Sequence, residues 1–63
     1  MSKAYREVQI GDRIVVNGTE WEVTDVTPIE GDWYRFRLRA LWMDLTMGCD
    51  RFGAHPCKMV EGD

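Results

Sequence analysis

The stretch that decides the fold reads DRIVVNGTEWEVTDV and spans residues 12 to 26. Runs of β-favouring residues lie on both sides of Asn17-Gly18, a dipeptide that readily accepts positive φ at both central positions of a type I′ turn. The sequence therefore predicts a β-hairpin with strands over residues 12–16 and 19–26. A two-residue loop also fixes the register, with Val16 opposite Thr19, Val15 opposite Glu20, Ile14 opposite Trp21 and Arg13 opposite Glu22.

A second alternating run predicts the next long strand, over residues 33 to 43. Side chains alternate between the two faces of a strand, so one face of this run is apolar and is expected to point to the core. That face carries Tyr34, Phe36, Leu38, Ala40 and Trp42. The other face, which we call the arginine face, carries Trp33, Arg35, Arg37, Arg39, Leu41 and Met43.

The two runs are predicted to pair through a turn over residues 28 to 31, which contains Pro28 and Gly31. In the resulting register the numbers of opposed residues sum to about 59. On the core face, Trp21 then meets Leu38 and Val23 meets Phe36. On the arginine face, the expected pairs are Glu22 with Arg37, Glu20 with Arg39, and Thr24 with Arg35.

The remainder of the chain has weaker patterns. Turn signals recur at short intervals, and no window has the apolar stripe of a helix. Residues 44 to 53 are typical of a loop or a single helical turn, Phe52 is expected in the core, and residues 57 to 60 are expected to return to the sheet as a short last strand. A chain of 63 residues supports one domain, 1–63, with a thin core, and we expect residues 1–7 and 61–63 to fray.

The opening of this pattern resembles a known group of folds. Residues 8 to 16, with Gly11-Asp12 ahead of the first strand, the turn Asn17-Gly18, and residues 21 to 26 are similar to the start of SH3-like small barrels, including the KOW and Tudor-like groups. The resemblance covers residues 8 to 43 at the superfamily level. It implies binding of peptides, nucleic acid or other proteins, and seldom catalysis. We expect an all-β domain, either a five-stranded SH3-like barrel or a strongly curled antiparallel sheet, with one short helical turn at most.

Charge is unevenly distributed along the chain. Eight Lys plus Arg stand against eleven Asp plus Glu, which gives a net charge of −3. Residues 33 to 43 carry three arginines and no acid, so the other residues carry five basic and eleven acidic groups. A basic strand in an acidic shell favours a protein partner with an acidic surface. Nucleic acid is the alternative partner, because arginine and aromatic side chains also bind single strands, although nearby glutamates would repel phosphates.

The arginine face is the predicted partner-binding site, because Trp, Arg and Met side chains are enriched in interface cores. A competing interpretation is that Glu20 and Glu22 merely neutralise two of the arginines across the hairpin. Arg35 has no acidic neighbour in the predicted register, which favours a binding role. A third function is self-association through an edge strand at residues 57 to 60. The sequence leaves these alternatives open.

Cys49, His55 and Cys57 are the candidate metal ligands. They lack the paired Cys-x-x-Cys or Cys-x-x-His spacing of zinc sites, so ordinary thiols are favoured and no cofactor is expected. Catalysis by Cys57 and His55 would need an oxyanion donor and a substrate pocket, for which a short chain has little room. We expect a non-enzymatic module, comparable to small accessory or regulatory proteins of bacteria and phages.

The sequence also bears on the compartment. The first seven residues have no apolar stretch of the length that a signal peptide needs, and the longest aliphatic run, residues 14 to 16, is too short to span a membrane. Two cysteines without a secretory signal are expected to be reduced. The expectation is a soluble cytoplasmic protein.

Overall fold

The computed structural model describes residues 2–60, so the expected fraying of Met1 and of residues 61–63 lies outside the described part of the chain. The described residues are all-β, as predicted, apart from one turn of 3-10 helix at Tyr5–Glu7. Their strands are β1 Ser2–Ala4, β2 Arg13–Val16, β3 Thr19–Pro28, β4 Trp33–Ala40, β5 Thr46–Phe52 and β6 Pro56–Lys58.

The strands form two antiparallel sheets and do not close into a barrel. Four strands lie in the order β2-β3-β4-β5, and β1 pairs with β6 in a separate small sheet. The curled-sheet form of the fold prediction therefore fits, whereas the closed barrel is not formed. After β6, Met59 forms a bridge with Ile14, and the Val60 N–H donates to the Arg13 carbonyl at 3.1 Å. Residues 59 and 60 thus cover the outer edge of β2.

The first hairpin has the predicted register at all four positions of β2. Asn17 has a φ of 53° and Gly18 a φ of 76°, as a type I′ turn requires. β2 begins one residue later than predicted, and β3 continues two residues further, to Pro28. Ile14 and Trp21 share the core face and are both buried, so the turn dipeptide alone is enough to align them.

The register between β3 and β4 differs from the prediction. Trp21 lies opposite Ala40 and Val23 lies opposite Leu38, two residues further along β4 than expected. The connecting loop occupies residues 29–32, with Gly31 at a φ of 60°, so the chain turns later than predicted. Because the error is an even number of residues, both β3 side chains keep their predicted face and remain buried.

A β-bulge at Thr24 changes the register again in the second half of β3. Beyond the bulge, Val26 lies opposite Phe36, where uninterrupted pairing would have turned Val26 outward. The Thr24 Oγ1 donates a hydrogen bond to the Arg37 carbonyl at 3.1 Å, which holds the extra residue against β4. The bulge thus adds Val26 to the apolar side chains packed on the core.

The core confirms most of the predicted inward residues. Its buried side chains are Tyr5, Val8, Ile14, Val16, Trp21, Val23, Phe36, Leu38, Ala40 and Cys57. The predicted core positions of Trp42 and Phe52 are wrong. Trp42 is exposed because β4 ends at Ala40, and Phe52 lies opposite Trp33, on the arginine face. Tyr5 belongs to the segment expected to fray, and it packs with its ring 5.4 Å from that of Phe36.

β5 occupies residues for which the sequence pattern predicts a loop or a helical turn, so that prediction is wrong. Gly48 and Asp50 are poor strand formers, which explains the weak local signal. Antiparallel pairing with β4 extends over all seven residues of β5 and overrides that propensity. The predicted last strand is only partly correct, because Pro56–Lys58 pairs with β1, and Met59 and Val60 reach the larger sheet.

Candidate functional site

β4 places four residues of the predicted binding face side by side on the outer surface of the larger sheet. Trp33, Arg35, Arg37 and Arg39 are all exposed and alternate with buried or half-buried positions of the same strand. Antiparallel neighbours determine what surrounds each arginine, since opposed side chains lie about 4.5–5.5 Å apart at Cβ. The structure divides the face into three parts with different surroundings.

The first part is the Trp33 end, where charge is already compensated. The Arg35 Nε donates to Asp50 Oδ1 at 3.0 Å, and its Nη2 donates to Asp50 Oδ2 at 3.3 Å. The expectation that Arg35 lacks an acidic neighbour is therefore wrong, because β5 brings Asp50 opposite it. The hydrogen bond from Arg35 lowers the pKa of Asp50, and the same contact raises the pKa of Arg35.

Aromatic contacts also occupy the Trp33 end. The Trp33 ring lies 5.5 Å from that of Phe52, which in turn lies 5.4 Å from the ring of His55. Beside them is an open depression of about 530 Å³, lined by Ile29, Glu30, Gly31, Trp33, Arg35 and Asp50. At this end the charge of Arg35 is paired and the Trp33 ring contacts Phe52, while Ile29 and Trp33 remain 45% and 47% exposed.

The second part of the face consists of Arg37 and Arg39, and here the predicted ion pairs are wrong. Asp25 lies opposite Arg37, and Glu22 lies opposite Arg39. Within residues 2–60, neither arginine forms an ion pair, so both guanidinium groups are open to solvent or to a partner. Their acidic neighbours lie on one side only, because β5 presents Gly48 and Thr46 opposite them.

The third part is a short loop between β4 and β5, residues 41–45, which we call the apolar loop. Its large side chains are Leu41, Trp42, Met43 and Leu45, with exposed fractions of 40%, 60%, 48% and 44%. Leu41 and Met43 belong to the predicted binding face, but they lie on this loop because the strand has already ended. All four apolar side chains are accessible from solvent.

Backbone hydrogen bonds make the apolar loop compact. The Ala40 N–H donates to the Leu45 carbonyl at 2.9 Å, and the Leu45 N–H donates to the Met43 carbonyl at 3.0 Å. Sequence reasoning missed Trp42 and Leu45 as surface residues. The run of three apolar residues at 41 to 43 could have revealed them. A strand with one side in solvent alternates apolar and polar residues, so the strand is expected to end where this alternation fails.

The candidate metal ligands are separated by their environments. Cys57 is buried in the core, Cys49 is half-buried on β5, and His55 is exposed beside Phe52. Burial raises the pKa of both thiols, which disfavours the thiolate form that binds metals. In the part of the chain that the structure describes, no three His, Cys, Asp or Glu side chains are grouped so that they could hold a metal ion.

Comparison with known proteins gives no match, either to a protein-family model or to a curated protein. Residues 2–60 contain no helix long and apolar enough to cross a membrane.

Proposed function

We propose that this chain is a non-enzymatic interaction module that docks on a larger protein through the apolar loop, with Arg37 and Arg39 at its border. The observation that carries the proposal is the exposure of four large apolar side chains within five consecutive residues. Contiguous apolar patches on small domains commonly mark sites of association. The loop is also held in a compact form by its own backbone hydrogen bonds, so little order has to be gained on binding.

Burial of the apolar loop would supply most of the binding free energy. Full burial of a Leu or Met side chain is worth about 1.5–3 kcal/mol relative to exposure. Trp42 is the most exposed of the four side chains, and Trp is among the residues most often found at the energetic centre of an interface. The partner is therefore expected to offer an apolar pocket that accepts the indole of Trp42.

The unpaired arginines indicate the chemistry around that pocket. Arg37 and Arg39 are exposed on the strand that leads into the loop, and guanidinium groups pair well with carboxylates. We therefore place acidic side chains of the partner at the rim, where they would orient the complex. Nucleic acid is less favoured, because Glu22 and Asp25 lie directly across from the two arginines and would repel phosphates.

The proposal also includes a cellular setting, a fold relationship and a biological role. Free thiols at Cys49 and Cys57 support a reducing, cytoplasmic setting. The resemblance of residues 8 to 43 to SH3-like small barrels remains a prediction; the first hairpin supports it, and the open sheet departs from it. A role as an accessory or regulatory protein, of the kind found in bacteria and phages, is part of the same proposal.

The experiment compares two exposed tryptophans at opposite ends of β4. Wild type, Trp42→Ala and Trp33→Ala are immobilised at equal density and exposed to a lysate of the source organism. A protein retained by wild type is then purified, and its affinity for all three chains is measured by calorimetry. Loss of an interface-centre Trp is expected to weaken binding about 30-fold or more, whereas Trp33→Ala should change it less than about fivefold.

The outcomes separate the alternatives. Equal weakening by both variants would extend the contact over the whole arginine face and overturn the restriction to the loop. Unchanged binding by Trp42→Ala would refute the proposed anchor. Retention of oligonucleotides that weakens steeply with salt and is lost in Arg37→Glu would point instead to a nucleic-acid binder. Trp42→Ala should fold normally, because substitutions of exposed side chains usually change stability by less than about 0.5 kcal/mol.

A further inference from the structure

The hydrogen-bond pattern of β4 reveals which backbone groups of β5 point away from the sheet. The Ala40 N–H donates to the directly opposed Leu45 carbonyl, so this is a hydrogen-bonded pair of the antiparallel ladder. Such pairs alternate with non-bonded pairs along the strands. The backbone groups of Met47 and Cys49 therefore face β4, and those of Thr46, Gly48 and Asp50 face outward from the sheet.

This outward edge of β5 is open. In the described part of the chain, β5 pairs only with β4, and the N–H groups of Thr46, Gly48 and Asp50 have no hydrogen-bond partner. One outward carbonyl, that of Asp50, accepts from the Arg51 Nη1 at 3.0 Å and retains a second lone pair. The opposite edge of the sheet differs, because residues 59 and 60 cover β2.

Gly48, at the centre of the open edge, is not required by the chain's own packing. A Cβ at this position would meet only the Phe36 carbonyl oxygen, at 3.8 Å, and Gly48 is not among the residues with positive φ. Glycine inside a strand weakens it and often marks a place where another backbone approaches closely. The position therefore fits an intermolecular contact better than an intramolecular one.

We infer that β5 pairs antiparallel with β5 of a second copy of this chain, about a two-fold axis at Gly48. Thr46 of each copy then lies opposite Asp50 of the other, and the two Gly48 residues lie opposite each other. In this register every outward N–H meets an outward carbonyl, and each opposed pair exchanges two hydrogen bonds. The two four-stranded sheets become one continuous sheet, with the half-buried Met47 and Cys49 side chains covered where the copies meet.

Symmetry and charge favour this occupant and this register. The outward groups at positions 46, 48 and 50 are symmetric about Gly48, so the edge is complementary to itself, as a two-fold interface requires. An axis at Asp50 would bring two carboxylates face to face, and an axis at Thr46 would extend beyond the strand into the apolar loop. The axis at Gly48 avoids both. This inference does not depend on the apolar loop, but a dimer would present two such loops and could bind a multivalent partner with added avidity.

The test uses proline, which removes an N–H without touching the ladder to β4. Because the Gly48 N–H faces outward, Gly48→Pro leaves the hydrogen bonds within the sheet intact, and edge strands tolerate proline in that orientation. Two intermolecular bonds are lost per dimer, so the dissociation constant should rise about five- to hundredfold. Gly48→Ala keeps the N–H and adds only a Cβ, so the difference between Gly48→Pro and Gly48→Ala measures the loss of the two hydrogen bonds. Sedimentation equilibrium of each chain gives the mass as a function of concentration.

A second measurement needs no variant. In the inferred register, Met47 and Cys49 of opposite copies form a non-bonded pair, whose Cα atoms lie about 4.5 Å apart. Isotope-filtered NMR of mixed labelled and unlabelled wild type should therefore show a contact between the Hα of Met47 and the Hα of Cys49. A wild type that stays monomeric up to millimolar concentration would overturn the inference. So would a dimer without this Hα contact, or one that a folded Gly48→Pro forms as tightly as wild type.

Discussion

Substitution of Gly53 by alanine tests the packing of the sheet end that holds the N-terminal segment. The Gly53 N–H donates to the Asp32 carbonyl at 2.6 Å, and its carbonyl accepts from the Arg6 N–H at 3.0 Å. A Cβ at Gly53 would collide with the Asp32 carboxylate and lie 2.7 Å from Tyr34 Cε1. The Asp32 carboxylate is restrained by an ion pair with Arg6 at 2.6 Å, and the Tyr34 ring packs against the core.

The size of the effect follows from that crowding. Overpacking of one methyl group typically costs about 1–3 kcal/mol. In a domain of this size each kcal/mol lowers the melting temperature by about 4–8 °C, so Gly53→Ala should melt about 4–24 °C below wild type. Gly48→Ala is the control in the neighbouring strand, because its Cβ makes only an ordinary contact. It should stabilise the fold by about 0.4–1 kcal/mol, through the loss of chain entropy in the unfolded state.

Tryptophan fluorescence during urea unfolding measures both variants against wild type. Dilute protein is used so that any association through β5 does not contribute to stability. A Gly53→Ala chain with the midpoint of wild type would refute the crowding described for this site. Stabilisation of both variants would show that the lower entropy of the unfolded chain, and not the Asp32 and Tyr34 contacts, controls the response.

Two further predictions concern titratable groups. Burial of Asp12 favours its neutral form, but hydrogen bonds from Lys3 and from the Gln9 N–H outweigh burial and lower the pKa of Asp12. The stabilisation that ionised Asp12 gives is therefore present above about pH 4 and is lost as the pH falls further. Asp12→Asn should therefore be less stable than wild type at neutral pH, with the difference shrinking on acidification; a pH-independent difference in urea midpoints would contradict this. Burial raises the pKa of both thiols, and Cys57 is fully buried, so brief alkylation at neutral pH should label Cys49 first. Mass spectrometry that finds Cys57 modified first would contradict the assigned packing.

The first hairpin shows what the sequence can determine. The Asn17-Gly18 turn has only two residues, so it aligns both strands without any information from the rest of the chain. The all-β class follows from the same local patterns. Alternation likewise identified the buried side of β4 as far as Ala40, because a half-buried strand must separate its apolar and polar side chains.

Most of the errors originate in contacts between residues that are distant in sequence. The bulge at Thr24 is held by a hydrogen bond to the Arg37 carbonyl, so its cause lies on another strand. β5 forms because β4 pairs with it, and without β5 the partner of Arg35 could not be foreseen. Trp42 was misplaced because alternation was extended past Ala40. The structure thus divides the predicted strand face, with Leu41 and Met43 on a loop and Arg37 and Arg39 on β4.

The coverage of β2 by residues 59 and 60 sets the size of any assembly built through β5. When two copies join, both open edges are consumed at the centre of the extended sheet. Each end of that sheet is then a β2 strand whose outer edge is already occupied by Met59 and Val60. Within the larger sheet a third copy finds no free edge, so growth of this sheet through β5 stops at a closed pair. Met59 and Val60 thus prevent further strands from adding to this sheet.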